Sequence, residues 1–342
     1  MKEHVGDRRA KTASRGYGCS NVIYFPYINV PDSLWLTQVL LYWDKVYAIV
    51  PLECQLAPDK MSPAMRDLVG CGLVLPCTPG QGVNWAVDFD GVFATYVMGL
   101  GEELEHRRAA FNRGEVTQIH GEKIRSVFQA LKDAGLARAE DKIQKFHVER
   151  RTARDFMGYL ATSMGSNETL DASPVTDDPS FLSDLVGGTL RRVDPDGCVA
   201  ALRTALLGDL LPVPAAKLSS EALVKFKKDH ARWLPDFRLK VEGGIVDALN
   251  IANPDQRDYR IKLLREGLMR EVADIAEAIK NDASIVSHGR KALAGALSLA
   301  GSLCPPPFSA MGCLADRVRP KSQIDEHSPL LYAAYAQALL DQ

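Results

Sequence analysis

Two aspartates in the string WAVDFDGVFATY are the residues of this chain whose type and spacing best suit chemistry. Asp88 and Asp90 follow an apolar run that favours a strand, and they come directly before Gly91. Carboxylates can serve as nucleophiles and as the oxygen ligands that Mg²⁺ prefers. Asp88 and Asp90 are therefore the candidate catalytic residues, and a plain turn before a helix is the alternative interpretation of the string.

The pair resembles the nucleophile motif of haloacid-dehalogenase-type phosphatases. The resemblance implies that Asp88 attacks phosphorus and ligates magnesium, while Asp90 acts as acid and base. The chain departs from that motif because Val92 replaces the usual hydroxyl residue, and the acidic residues within 176–178 match a second acidic pair only loosely. A metal-dependent phosphoesterase that uses Asp88 and Asp90 therefore stays an alternative function, and the turn is the preferred interpretation.

Other polar pairs occur singly. Glu103 and His106 have the ExxH spacing that di-iron carboxylate proteins use twice, but only one copy is present. His147 and Glu149 form another pair without a third partner. A charged, solvated helix face is the preferred interpretation of the string GEELEHRR that holds the ExxH.

Motifs that would hold a nucleotide, a metal ion or a redox centre are missing. The chain has no Walker-type loop, HExxH, GxSxG or paired CxxC. His230 lies on an apolar stripe beside Asp229, where a packed histidine is more common than a catalytic one. The sequence therefore predicts no cofactor and no metal site, and it does not decide whether the chain is an enzyme.

The composition predicts a folded intracellular protein. Of 342 residues, 46% are hydrophobic, and 41 Lys and Arg stand against 43 Asp and Glu, so no long-range positive field favours nucleic acid. The seven cysteines are odd in number and widely spaced, which is typical of a reducing compartment and predicts a cytoplasmic location. Residues 1–20 are charged throughout and predict a flexible basic tail.

Residues 21–165 predict an α/β domain that would position the candidate residues. Val22 to Pro51 changes from strand to helix and back to strand, which predicts two parallel strands in one sheet. Pro26 interrupts the first strand and predicts an edge position. One long helix is expected from Gly91 to Asn112, and 120–149 could form part of a winged helix, although a DNA reader is not expected.

The rest of the chain predicts a linker and then helices. Residues 166–182 are polar and turn-rich, and 183–342 carry apolar stripes at helical spacing, with a kink expected at Pro235. The uncharged segment 292–315, rich in small residues, predicts a tightly packed hairpin; a membrane-directed effector is the alternative. The predicted fold class is thus α/β to α+β, with a small, partly parallel N-terminal sheet and a mainly helical C-terminal region.

The chain resembles an uncharacterised bacterial family known only as a domain of unknown function. Four strings carry the resemblance: IYFPYINVPDSLW, LLYWDKVYAIVP, LLPVP and KFKKDHARWLPDFR. The resemblance covers residues 22 to about 280 and implies no catalytic residues. It implies a role in antiphage defence or on a mobile element. We therefore expect a cytoplasmic component that binds a protein partner or a ligand, with homo-oligomers left open and membrane contact not favoured.

Overall fold

The structure is a computed structural model, and it describes residues 20–79, 89–140, 145–178, 195–211, 218–281, 325 and 327–340. The chain forms two compact units. The first holds the described residues up to Ala205 and those of 218–229, and the second holds the others.

A four-stranded parallel sheet is the centre of the first unit. Its strands are β1 (Asn21–Tyr24), β2 (Lys45–Ile49), β3 (Val74–Cys77) and β7 (Ala172–Val175), in the order β3-β2-β1-β7. Each neighbouring pair is parallel, so that β1 lies between β2 and β7. The predicted α/β fold with a partly parallel N-terminal sheet is confirmed.

Helix α1 (Leu34–Tyr42) joins β1 to β2, as the pattern from Val22 to Pro51 predicts. The edge position predicted from Pro26 is wrong, because β1 has a neighbour on both sides. The last ladder bond runs from the Phe25 amide to the Val175 carbonyl, at 3.2 Å. Pro26 comes after that bond, so its missing N–H leaves no gap in the ladder.

Two short helices connect β2 to β3. Helix α2 (Leu52–Leu56) follows β2 directly, and α3 (Pro63–Gly70) begins at a proline, which fits the first turn of a helix. The Ser62 hydroxyl accepts a hydrogen bond from the Met65 amide and caps α3.

The helix expected from Gly91 to Asn112 is two helices, α4 (Phe89–Met98) and α5 (Glu102–Asn112). Gly101 between them has φ +58°, a left-handed conformation that a helix interior does not contain. Gly99 and Gly101 therefore lie in the break between α4 and α5.

A small antiparallel sheet follows, with strands β4 (Val116–His120), β5 (Ala137–Ala139) and β6 (Lys145–Glu149) in the order β4-β6-β5. Helices α6 (Gly121–Ile124) and α7 (Phe128–Asp133) lie between β4 and β5 in sequence. A helix, a strand, two helices and a hairpin follow one another in the order of a winged helix.

Helix α8 (Arg150–Gly165) packs on β1 and β7 and brings the chain back to the parallel sheet. Residues 172–175 then form β7, although sequence analysis assigns 166–182 to a linker. The chain there is an edge strand that pairs with β1, although Ser173 and Pro174 are unfavourable in a strand. Local turn signals were outweighed by the pairing that β1 offers.

The described part of the chain after residue 194 is mainly helical, as predicted. Its helices are α9 (Pro195–Leu210), α10 (Ser220–His230), α11 (Leu234–Leu249), α12 (Pro254–Asn281) and α13 (Leu331–Leu340). Pro235 lies in the first turn of α11, after a short 3₁₀ turn, so the expected kink is a helix start. The predicted hairpin at 292–315 lies outside the described residues.

Candidate functional site

The carboxyl ends of the four parallel strands form one edge of the sheet in the first unit. The chain runs from β1 to β2 and β3 on one side and later places β7 on the other side of β1. In open α/β sheets, ligands bind outside the carboxyl ends of the strands at such a reversal of strand order. The topology therefore indicates the gap between the ends of β1 and β7.

Tyr24, the last residue of β1, reaches across this gap. Its hydroxyl donates a 3.0 Å hydrogen bond to Oδ1 of Asp177, which follows β7. Burial first, and then the charge of Asp177, raise the pKa of the Tyr24 phenol well above its ordinary value. Tyr24 therefore stays protonated and holds the Asp177 carboxylate in place.

Tyr27, three residues further on, exposes 52% of its surface at the same gap. Desolvation raises the pKa of its phenol, and Asp178 and Asp177 raise it further, whereas Arg154 of α8 acts in the opposite sense. We call Tyr24, Tyr27, Arg154, Asp177 and Asp178 the switch-point cluster. It combines one exposed aromatic ring, two carboxylates and one guanidinium.

The segment after β7 is held by a local turn. The Asp178 amide donates to the Thr176 hydroxyl at 3.1 Å, and Thr176 is 3% exposed. A Thr side chain that binds the backbone two residues on fixes a turn in this way. Residues 176–178, considered in the sequence only as a loose second acidic pair, are therefore ordered at the sheet edge.

The β2 end of the same edge carries a second polar group, supplied by β4 and α6. The Glu122 carboxylate accepts hydrogen bonds from the Leu52 amide, at 2.7 Å, and from the Glu53 amide, at 3.3 Å. His120 Nδ1 accepts from the Glu122 amide, so its Nε2 carries the proton and donates to Glu53 at 2.8 Å. The hydrogen bond from His120 is the main cause of the lowered pKa of Glu53.

Lys123, which follows Glu122, is 4% exposed and is the functional candidate that sequence analysis missed. Its ammonium nitrogen donates to the Pro26 carbonyl at 3.0 Å. Burial lowers the pKa of Lys123 to about 7. The amine is therefore close to half neutral at physiological pH, an unusual state for a lysine.

Two thiols face this amine, Cys77 at the end of β3 and Cys54 of α2. Burial raises the pKa of the Cys77 thiol to about 12 and also raises that of Cys54. Both thiols stay protonated at neutral pH, so neither neutralises a charged Lys123. Sequence spacing gives no signal for this group, because Pro26, Cys54 and Cys77 are all far from Lys123 in sequence.

Asp90 lies in the first turn of α4, next to Phe89, whose ring stacks on Tyr159 at a 4.6 Å centroid distance. The Oδ1 atom of Asp90 is buried and has no hydrogen-bond partner within the described parts of the chain. Asp88, its predicted catalytic partner, lies outside the described residues. The geometry of the Asp88 and Asp90 pair thus stays a prediction.

Glu103 of the ExxH pair forms ion pairs with two arginines. Glu103 binds Arg107 at 3.2 Å and Arg151 at 2.5 Å, which makes it part of an ion-pair network. Across the described ranges, no three His, Cys, Asp or Glu side chains converge as metal ligands would. The preferred interpretation of a charged helix face agrees with these contacts.

The remaining histidine pairs are separated. His147 contacts Glu140 at 3.2 Å, whereas Glu149 is 1% exposed and caps α8 by accepting from the Thr152 amide at 2.7 Å. The two side chains therefore have different hydrogen-bond partners.

His230 takes part in an aromatic stack in the second unit. Its ring lies 5.6 Å from that of Trp233 and 4.6 Å from that of Tyr335. A packed histidine was the preferred interpretation of this position. The stack gives His230 a role in helix packing.

The described helices include none that is both long and apolar enough to cross a bilayer. The segment 292–315, for which membrane contact is the alternative prediction, falls outside them. Comparison of the chain with models of known protein families, with curated proteins and with solved structures found no match.

Proposed function

We propose that this chain is a binding component whose first unit takes a small ligand at the switch-point cluster. The observation that supports this most directly is the position of the cluster at the reversal of strand order between β1 and β7. Side chains from β1, α8 and the segment after β7 meet there. Convergence of groups from separate elements at this point is typical of ligand sites in α/β sheets.

The chemistry of the cluster suits a nucleoside-type ligand. The exposed ring of Tyr27 offers a face on which a base can stack. The carboxylate of Asp178 can accept hydrogen bonds from ribose hydroxyls, the role that an acidic residue has in dinucleotide sites. Arg154 supplies one positive charge, which suits at most a single phosphate group.

The biological setting is supported by sequence resemblance. The strings around Tyr24, Trp43 and Trp233 link the chain to the uncharacterised bacterial family and hence to antiphage defence or mobile elements. In that setting, the chain acts in the cytoplasm, and the ligand state of the first unit is passed to a partner protein. This part of the proposal rests on the resemblance and on the cysteine pattern.

Calorimetric titration of the full chain with the four ribonucleosides and their 5′-monophosphates tests the ligand site. Tyr27→Ala is expected to weaken binding by about 1–3 kcal/mol, roughly 5- to 150-fold, because it removes the stacking face. Asp178→Asn should weaken the binding of ribonucleosides more than the binding of the matching 2′,3′-dideoxynucleosides, which lack the ribose hydroxyls.

Tyr259→Ala is the matched control, because Tyr259 is exposed on α12 of the second unit. Equal binding by wild type and Tyr27→Ala would refute the site. Absence of binding by all eight compounds up to about 1 mM would refute the ligand class.

A metal-dependent phosphoesterase is a second candidate function, supported by the buried and unsatisfied Oδ1 of Asp90. Orphaned polar atoms in native structures often mark functional sites. Hydrolysis of p-nitrophenyl phosphate with added Mg²⁺ is the test. Turnover lost in both Asp88→Asn and Asp90→Asn would support this candidate, and turnover that is absent in wild type or retained in either variant would remove it.

A further inference from the structure

A cavity lies among the helices of the first unit. It has a volume of about 360 Å³ and opens between α1, α3 and the start of α10. Small-molecule sites have volumes of about 300–1,000 Å³, so the cavity is large enough for a small ligand. All its lining residues belong to one compact unit.

The floor of the cavity is apolar. It is formed by Leu36 and Leu40 of α1, Leu68 of α3 and Leu223 of α10. Each of these side chains is 9% exposed or less, so the floor is fixed by the core beneath it. A ligand that fills the cavity would therefore place an apolar body against a rigid surface.

The rim of the cavity is acidic. Asp32 precedes α1, Asp67 lies on α3 and Glu221 lies in the first turn of α10, so three separate elements each bring a carboxylate to one opening. The Ser220 hydroxyl binds the Asp67 carboxylate and holds it at the rim. Among the described residues that line the cavity, none is lysine or arginine.

We propose that this cavity binds a small organic cation, an amine with an apolar body. The apolar part would displace water from the leucine floor, and the ammonium group would lie among the three rim carboxylates, which attract its charge. A neutral ligand of the same shape would gain only the first of these contributions. An anionic ligand would be repelled.

The site is independent of the nucleoside-type site. Its floor and rim use no residue of the switch-point cluster, and its ligand differs in charge and shape.

The test is ligand-observed NMR and calorimetry on the full chain with phenethylamine, tryptamine and octylamine. The matched neutral probe is 2-phenylethanol, which has the ring and chain of phenethylamine without its charge. Phenethylamine is expected to bind at least about tenfold more tightly than 2-phenylethanol. The difference should shrink at high salt, because the rim carboxylates are near solvent.

Two variants locate the site. Asp67→Asn keeps a partner for Ser220 but removes a charge. It should weaken the binding of phenethylamine by about 1.5- to fivefold while leaving the binding of 2-phenylethanol unchanged. Ala64→Leu adds volume to the lining and should abolish the binding of both probes. Asp59→Asn, at an exposed acidic residue that does not line the cavity, is the control and should bind like wild type.

Three results would overturn the proposal. Equal affinity for phenethylamine and 2-phenylethanol would show that charge is not recognised. Unchanged binding in a folded Ala64→Leu variant would show that the probes bind elsewhere. Failure of all three amines to bind up to about 10 mM would show that the cavity takes no organic cation.

Discussion

Replacing Lys123 with methionine should make the protein more stable at neutral pH and should remove part of its pH dependence. Methionine has a similar length and no charge, so it fills the same space without the desolvated ammonium group. The pKa of Lys123 falls from 10.5 to about 7 on folding because the amine is buried, and the amine donates a hydrogen bond to the Pro26 carbonyl. The folded protein therefore favours the neutral amine.

The size of the effect follows from this difference in pKa. Between pH 7 and pH 10 the unfolded chain keeps the Lys123 proton and the folded chain releases it, so the free energy of unfolding rises by up to about 1.4 kcal/mol per pH unit. Below pH 7 the amine is protonated in both states, and burying its charge lowers the free energy of unfolding by the full amount, about 5 kcal/mol. At pH 7 the cost is about 4 kcal/mol.

The methionine variant avoids that cost but leaves the Pro26 carbonyl without its donor. An unsatisfied buried carbonyl costs about 1–3 kcal/mol, so the expected net gain at pH 7 is about 1–3 kcal/mol. The gain should fall with rising pH and turn into a loss near pH 10, where the neutral lysine keeps its hydrogen bond at no charging cost.

Chemical unfolding followed by circular dichroism between pH 6 and pH 10 measures the free energy of unfolding of wild type and of Lys123→Met. The difference between wild type and Lys123→Met isolates the amine, because Cys54 and Cys77 are present in both; their raised pKa values make stability fall at high pH. Lys132→Met, at an exposed lysine of α7, is the control and should keep the wild-type slope. Parallel pH profiles for wild type and Lys123→Met would refute the reasoning.

Three further variants test other parts of the first unit by thermal or chemical unfolding. Gly165→Ala should lower the free energy of unfolding by about 1–3 kcal/mol, because the new Cβ would lie 2.0 Å from a backbone carbonyl of β7; Gly208→Ala, with open space around it, should be neutral or stabilising, and an equal loss in both would contradict the steric argument. Glu149→Ala should cost about 1–2 kcal/mol through the lost cap of α8, and a change below about 0.5 kcal/mol would show that the cap is dispensable. Asp90→Ala should raise the free energy of unfolding by about 1 kcal/mol. The variant removes an unsatisfied buried oxygen, and this gain is expected to exceed the loss of a favourable negative charge in the first turn of α4. A loss of stability would show that Asp90 has a structural partner.

The parts of the fold that could be predicted are those whose signals are local. The change of period between Val22 and Pro51 indicated β1, α1 and β2. Strand β7 could not be predicted, because ASPV contains none of the patterns of an isolated strand and forms only against β1. The pairing that stabilises it lies far away in sequence.

The same distinction applies to the candidate sites. Tyr24 and Asp177 are 153 positions apart, and Lys123 is 97 positions from Pro26. No spacing rule connects residues at such separations, so short motifs indicate only Asp88 and Asp90 as candidates. Chain topology brings the distant residues together at one edge of the sheet.

The place of β7 beside β1 has a consequence for synthesis on the ribosome. Strands β1, β2 and β3 are complete once residue 77 has left the exit tunnel, but residues 78–171 must still be made before β7 can pair. Until then, the apolar strand β1 presents an open edge, the kind of surface that pairs with other chains. The nascent protein therefore depends on the helices and small sheet in between folding early, or on a chaperone, to protect its first strand during translation.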